Sequence, residues 1–501
     1  STFSSAETAR RRPADDELLC LQLALVSRRG IELDGIEPTR HVVDGPHMGS
    51  LLSSLPFSLT DEQRAAADQM LADMASPHVM NRLLLGDVGT GKTAVAALGL
   101  AAVADTGTQA AVMAPTSVLA RQYAEKLGPL MDGAGISWVL VTGSTPSDER
   151  AVSADAVSRG EVAVVFGTTA ILSDDIEFRS LSLVVIDEQH RFGVDQRAAL
   201  RRKGSGADLL AMTATPIPRT LALSFYGDVD CSRIRHRPHA EVGVKTRVIT
   251  PENLDLAYGA IREAVEAGRQ AYVICQLVDD TDDGSDLDDV PESVRTTSGM
   301  HSATSMVADL AEHALRGITS DVLTGRMSAD DKDATMARFR SGETSVLVAT
   351  TVVEVGVDVP NATVMLVYDA DRFGLATLHQ LRGRVGRGTA SGQVFLESSA
   401  KRNTTARKRL SALEATTDGS ELAELDLKLR REGEVLGYRQ HGGLSLVISD
   451  LDGDRDLVEA AHADALAITD DDPRLAHPEH ATMAIEVRDR FGAYFDELER
   501  A

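Results

Sequence analysis

Residues 86–93 read GDVGTGKT, directly after the apolar run NRLLL at 81–85. A short buried strand that opens into a glycine-rich loop and then a helix is the context in which backbone N–H groups can close around phosphate oxygens. In that reading Gly86, Gly89 and Gly91 supply the loop, Lys92 reaches the β- and γ-phosphates, and the Thr93 hydroxyl holds Mg2+. The segment behind it, AVAALGLAAVA (94–104), is too short to span a bilayer and reads as a buried helix. About a hundred residues further on, LVVIDEQH (183–190) sets Asp187 and Glu188 just past a second apolar strand. Asp187 is placed to hold Mg2+ through water, and Glu188 to orient and deprotonate an attacking water.

Outward from this pair, short β-branched runs alternate with helical patterns. NRLLLGD, QAAVMAPT, ISWVLVTG, VAVVFGTT, LSLVVIDE and DLLAMTATP follow one another between 81 and 216. Near-continuous apolar strands separated by helices predict a parallel sheet covered on both faces, with ligands at the carboxyl ends of its strands. A second set, QAYVICQL (270–277), SVLVATT (345–351), ATVMLVY (362–368) and GQVFLE (392–397), predicts a second α/β domain beyond RHRPHAEVG (235–243). An acidic stretch inside it, 279–303, reads as a surface loop. DDELLCLQLALVSRRG (15–30) predicts a helix near the amino end, and beyond about 412 the pattern is helical and acidic.

The chain has 501 residues, more than one hydrophobic core usually supports. Its 51 Lys and Arg against 76 Asp and Glu give a net charge of −25, which by itself argues against a nucleic-acid partner. Phosphates are bound by a local groove, however, and basic clusters lie at 201–203, 401–409 and 428–431. Each could be an ordinary solvated face. No secretory signal and no membrane-length apolar run are visible. Cys20, Cys231 and Cys275 form no metal-binding pattern, so a reducing cytoplasm is expected.

Five further blocks occur in one order: APTSVLARQ (114–122), GTTAIL (167–172), TATP (213–216), VLVATTVVEVGVDVP (346–360) and QLRGRVGRG (380–388). Together with the two phosphate-site motifs they resemble superfamily 2 helicases. That resemblance implies two tandem RecA-like parallel-sheet domains, with Arg384 and Arg387 entering the ATP site from the second as arginine fingers. DEQHRFGVDQR (187–197), MTATPIPRTLALSFYGDVD (212–230), TGRMSADDKDATMARFRSGE (324–343) and DRFGLATLHQLRGRVGRG (371–388) closely resemble the RecG family, bacterial ATP-dependent DNA helicases that remodel stalled forks and Holliday junctions. The transcription-repair coupling factor is a near relative, but its box reads DEEQ where this chain has DEQH.

The resemblance implies ATP and Mg2+ as cofactors, branched double-stranded DNA as partner, no membrane role and a monomeric state. It places Phe57 and Gln63 against the adenine, and Gly356 and Asp358 at the nucleotide from the second domain. Thr116, Gly167, Thr168 and Thr350 would touch the DNA backbone, although each could equally be a strand-end turn residue. Thr213, Thr215 and Gln380 would couple the lobes, and ELDLKLRREGEVLGYRQHGG (424–443) resembles the family's helical hairpin and translocation loop, with Arg430, Arg431, Arg439 and Gln440 as its polar candidates. RecG chains usually carry Gly-Pro where REGE stands here.

The expected division is 1–54 as helix and connector, 55–236 and 237–412 as the two RecA-like domains, 413–450 as hairpin and loop, and 451–501 as a helical C-terminal segment. RecG also carries an N-terminal wedge domain with an OB-like barrel. Only residues 1–16 precede the segment ELLCLQLALVSRRG (17–30), which follows that domain in RecG, so the chain reads as a fragment of a longer RecG or as a wedge-less form. Two other readings compete with this one. An RNA helicase is disfavoured by the RecG-like blocks, and a non-catalytic DNA- or protein-binding paralogue by the intact nucleotide motifs.

Overall fold

The computed structural model describes residues 2–32, 38–188, 203–204, 206–214, 229–236, 238, 243–276, 306–307, 310–350, 359–388, 390–401, 404–434, 449 and 454–500. Two parallel sheets dominate it. The first contains β1 (Asn81–Gly86), β2 (Gln109–Met113), β3 (Trp138–Val141), β4 (Val164–Gly167), β5 (Leu181–Asp187), β6 (Asp208–Thr213) and β7 (Asp230–Ile234). Their spatial order is β3-β4-β2-β5-β6-β1-β7, so the strands that deliver the two phosphate-site motifs, β1 and β5, flank β6. The second contains β8 (Val244–Ile249), β9 (Gln270–Ile274), β10 (Ser320–Leu323), β11 (Val346–Ala349), β12 (Ala362–Val367) and β13 (Gly392–Glu397), in the order β10-β11-β9-β12-β13-β8.

All ten apolar runs read from the sequence contain strands of these sheets. The three strands the reading did not anticipate are β7, β8 and β10, and each lies at a sheet edge. Interior strands such as β2, β5 and β12 are buried at every position. In DCSRI, VKTRVI and SDVL, exposed or half-buried positions interrupt that burial, so no continuous apolar run marks them. The acidic stretch 279–303 lies outside the described residues.

The helices are α1 (Thr2–Glu32), α2 (Pro46–Ser54), α3 (Asp61–Met74), α4 (Lys92–Thr106), α5 (Ser117–Gly133), α6 (Ser147–Ser158), α7 (Leu254–Glu266), α8 (Ala329–Ser341), α9 (Leu375–Arg382), α10 (Thr405–Ala415), α11 (Gly419–Glu434), α12 (Arg455–Asp471) and α13 (Ala481–Arg500). α4 is buried from Ala94 through Val103, because it packs into the same core as β1, β2 and β5. Such a helix shows no apolar stripe, being apolar all round. Among the described residues no helix is long and apolar enough to cross a membrane.

The first and last helices form one unit that the sequence reading had divided. Leu18 of α1 packs on Val458 and Ala461, Leu21 and Ala24 on Phe491, and Leu23 and Val26 on Ala465 and Leu475. Arg10 closes the unit by donating to both carboxylate oxygens of the buried Asp454, at 2.8 and 2.5 Å.

Candidate nucleotide site and inter-lobe contacts

β1 ends at Gly86 and the loop 87–91 turns the chain into α4. Gly89 and Gly91 have φ of 85° and 86°, the left-handed region that glycine enters without steric cost. A side chain at Gly91 would also meet Gln63, whose Nε2 lies 2.2 Å from the Cβ position. Gln63 is itself held by three hydrogen bonds. Its Oε1 accepts from the Thr60 N–H at 2.9 Å, the Thr60 hydroxyl accepts from the Gln63 N–H at 3.2 Å, and its Nε2 donates to the Thr90 carbonyl at 2.7 Å. The first two bonds are a capping box on α3. Gln63, read from the sequence as an adenine contact, therefore also braces the phosphate loop against α3. Phe57, the other adenine candidate, is 44% exposed and offers a bare ring face.

Lys92 is half-buried behind this loop. Its Nζ donates to the carbonyls of Gly86 at 2.5 Å and Asp87 at 3.2 Å. Burial lowers its pKa, opposed by the charges of Asp187, Glu188 and Asp87, and reinforced by Arg387 of the second lobe. Asp187, at the end of the wholly buried β5, has its carboxyl raised by burial and then by Glu188. The Tyr123 hydroxyl on α5 hydrogen-bonds both Asp187 and Thr93, and burial followed by the Asp187 charge pushes its pKa up. The buried Asp187 and the half-buried Glu188 thus both act on the Lys92 ammonium within the first lobe. That donor set suits a divalent cation, whose charge relieves the repulsion that raises the Asp187 carboxyl.

Glu188 has φ of +53°, a left-handed conformation that a non-glycine residue holds only where its surroundings enforce it. Here β6 enforces it. The Glu188 N–H donates to Met212 O at 2.8 Å, while the carboxylate accepts from the Thr213 hydroxyl at 3.2 Å and from the Ala214 N–H at 3.4 Å. Thr213, expected to couple the lobes, thus touches the candidate base directly. Thr215 lies outside the described residues.

The second lobe meets this loop through α9. His379 is buried, and its Nδ1 accepts from the Arg382 guanidinium at 2.8 Å. Because Arg can only donate, the His379 proton sits on Nε2, which donates to Asp87 Oδ1 at 2.9 Å. Arg382 continues the chain to the carbonyls of Leu413, Thr416 and Thr417, which lead into α11. Gly383 presses against Val88, whose Cβ lies 3.1 Å from where a glycine substitute would put its own. Arg384 and Arg387 follow in the same segment, with Arg387 Nε donating to Gly383 O at 2.8 Å. Gln380 is buried on α9. A second link between the lobes pairs Arg121 of α5 with Asp333 of α8. Asp87, Tyr123, His379 and Arg382 were not anticipated from the sequence. Asp87 occupies a variable position of the loop pattern, and His379 stands one residue ahead of the block QLRGRVGRG.

The DNA-side candidates cluster at the carboxyl ends of parallel strands. Thr116 caps α5, its hydroxyl accepting from the Leu119 N–H at 3.3 Å, and Thr168 caps the turn at 169–172. Gly167 lies so close to β3 that an added Cβ would fall 2.0 Å from the Val141 carbonyl oxygen. Thr350 is buried, its N–H donating to Leu323 O at 3.2 Å. Each therefore has a local structural role as well as its position at the ligand edge. Gly356, Asp358, Arg439 and Gln440 lie outside the described residues, as do the side chains of Arg430 and Arg431 on α11.

Two parallel-sheet lobes with the phosphate loop, the Asp187–Glu188 carboxylate pair and an arginine-bearing segment facing them define a superfamily 2 helicase core. Comparison with known proteins agrees: residues 60–223 match the DEAD/DEAH box helicase family, 260–389 the helicase conserved C-terminal domain, and 416–490 the C-terminal part of domain 3 of the ATP-dependent DNA helicase RecG. The ATP-dependent DNA helicase RecG of Bacillus subtilis is 39% identical over 97% of this chain and 69% of its own length, and that of Mycobacterium tuberculosis is 45% identical over 88% and 61%. A solved structure of RecG bound to a three-way DNA junction superposes with a TM-score of 0.72 at 36% identity, covering 91% of this chain and 58% of that one. The chain belongs to the RecG family of ATP-dependent DNA helicases. It spans between 58% and 69% of the length of these relatives.

Proposed function

We propose that the chain is an ATP-driven translocase on double-stranded DNA that remodels branched DNA, such as stalled forks and Holliday junctions, in recombination and repair. The observation that carries this reading is the contact of the second lobe with the phosphate loop of the first, His379 on Asp87 and Gly383 on Val88, in the segment that bears Arg384 and Arg387. Family membership and the junction-bound RecG relative support it. One chain holds both halves of the site, which suits action as a monomer, and a chromosomal substrate suits a cytoplasmic enzyme.

In this reading Lys92 exchanges its loop carbonyls for the β- and γ-phosphates, and Thr93 and Asp187 hold Mg2+, which supplies charge neutralisation when bound. Glu188, oriented by Thr213 and Ala214, takes the proton of the attacking water. Arg384 and Arg387 neutralise the leaving charge when the cleft closes. Phe57 and Gln63 hold the adenine, with Gly356 and Asp358 approaching from the second lobe. Thr116, Gly167, Thr168 and Thr350 touch DNA phosphates without reading sequence. Thr213, Thr215, Gln380, Arg431, Arg439 and Gln440 pass the nucleotide state to the DNA. The division of the chain near 54, 236, 412 and 450 belongs to the same proposal.

The test is ATP hydrolysis by the 501-residue chain alone, with linear duplex and with a three-way junction, beside an assay for ATP-dependent junction unwinding. DNA-stimulated turnover and unwinding, both abolished by Lys92→Ala, are expected. Turnover indifferent to DNA, or retained by Lys92→Ala, overturns the proposal.

A further inference from the structure

Outside both sheets, the turn that joins α12 to α13, TDDDPRLAHPEH (469–480), brings one carboxylate and two imidazoles to a point. Asp472 is 3% exposed, and its orientation is set by the backbone: Oδ1 accepts from the Ala476 N–H and Oδ2 from the His477 N–H, both at 2.8 Å. His480 Nδ1 lies 2.9 Å from the same Oδ2, and His477 Nδ1 lies 3.9 Å from it. The two rings are nearly parallel, 6.0 Å apart at 19°, because Pro478 starts a single 3-10 turn over Pro478–His480. A three-residue spacing in such a turn puts both rings on one side.

We propose that Asp472, His477 and His480 form a binding site for one divalent transition-metal ion of the Zn2+ type, with solvent completing its coordination. One ligand atom from each of the three residues lies within 4.8 Å of the other two. Zinc bonds to imidazole nitrogen and carboxylate oxygen of about 2.1 Å place the ligand atoms of a tetrahedral site roughly 3.4 Å apart. The distances of 2.9 and 3.9 Å around Asp472 Oδ2 bracket that value. Two imidazoles with one carboxylate select Zn2+, Co2+ or Ni2+ over Mg2+ and Ca2+, which require oxygen donors. The two backbone N–H bonds hold the carboxylate in place before an ion arrives, as the outer partners of metal ligands do.

The site has a structural consequence. Leu475, inside the same turn, packs against Leu23 and Val26 of α1 and Ala465 of α12. A metal ion there pins the α12–α13 turn beneath α1 and makes the stability of the terminal helical unit metal-dependent.

The experiment uses the 501-residue chain stripped of metal and free of nucleotide, titrated with Zn2+ by calorimetry and followed by thermal unfolding, beside His477→Ala and His480→Ala. The native chain should bind Zn2+ with an affinity that each substitution lowers by at least about tenfold. Zn2+ should raise the unfolding temperature of the native chain and not that of the variants, and Mg2+ should not compete. Because the His477 side chain is 45% exposed, its replacement leaves the turn folded, and circular dichroism verifies this. If His480→Ala does not fold, His477→Ala decides alone. Zn2+ affinity and stabilisation unchanged in His477→Ala, or no binding by the native chain, overturns the proposal.

Discussion

His379 bonds Asp87 of the phosphate loop on one side and Arg382 on the other, so a single ring joins the loop to the segment entering α11. Replacing it with Ala removes that hydrogen bond between the lobes and the acceptor of Arg382, while leaving the proposed phosphate contacts of Lys92 untouched. A buried bond of this kind contributes about 1–1.5 kcal/mol, so ATP turnover should fall roughly tenfold. Nucleotide affinity should change little, and steady-state kinetics beside equilibrium nucleotide binding distinguishes the two. In the proposed reading Arg387→Ala acts on the chemistry itself. Its charge already reaches Lys92, and its loss should lower kcat on the order of 10³ with the fold intact. A variant that weakened ATP binding and kept its kcat would remove Arg387 from the finger role.

At the scale of elements, the close approach of β3 and β4 distinguishes packing from ligand contact. Gly167 ends β4, and a Cβ there would lie 2.0 Å from the Val141 carbonyl oxygen, a backbone atom that no side-chain rotation can move away. Gly167→Ala should therefore destabilise the first lobe by about 3 kcal/mol or more, read from urea unfolding. Were Gly167 needed only as a DNA-side amide, the substitution would instead weaken DNA binding and leave the unfolding midpoint in place.

On the scale of the whole molecule, the nucleotide machinery and the terminal helical unit are built from different cores. Leu21 of α1 is fully buried in a cluster with Cys20, Ala24 and Phe491, while the phosphate loop rests on the core of the first sheet. Leu21→Ala should cost roughly 2–5 kcal/mol, confined to α1, α12 and α13, as hydrogen exchange would locate it. ATP turnover should persist. Loss of turnover in a folded Leu21→Ala variant would mean that the terminal helices brace the lobes. The Arg121–Asp333 pair between the lobes is partly exposed on both sides, so its contribution to closure stays below about 1 kcal/mol.

The phosphate-loop and carboxylate motifs and the interior of both sheets were legible in the amino-acid order, since each depends on residues close in sequence. A loop such as GDVGTGKT specifies its own φ angles, and β2, β5 and β12 are apolar at every position because both faces are covered. Periodicity cannot show which distant elements meet. Nothing in the runs DCSRI, VKTRVI and SDVL marks them as strands until a neighbour offers a ladder, and all three lie at sheet edges. Asp87 and His379 stand 292 residues apart, and Leu18 and Val458 lie near opposite ends of the chain. Such pairs are chosen by packing geometry, in which a buried side chain takes the partner that satisfies its polar atoms or covers its apolar surface. The same holds for Glu188, whose left-handed backbone is imposed by three hydrogen bonds from a neighbouring strand and by nothing in the letters DEQH.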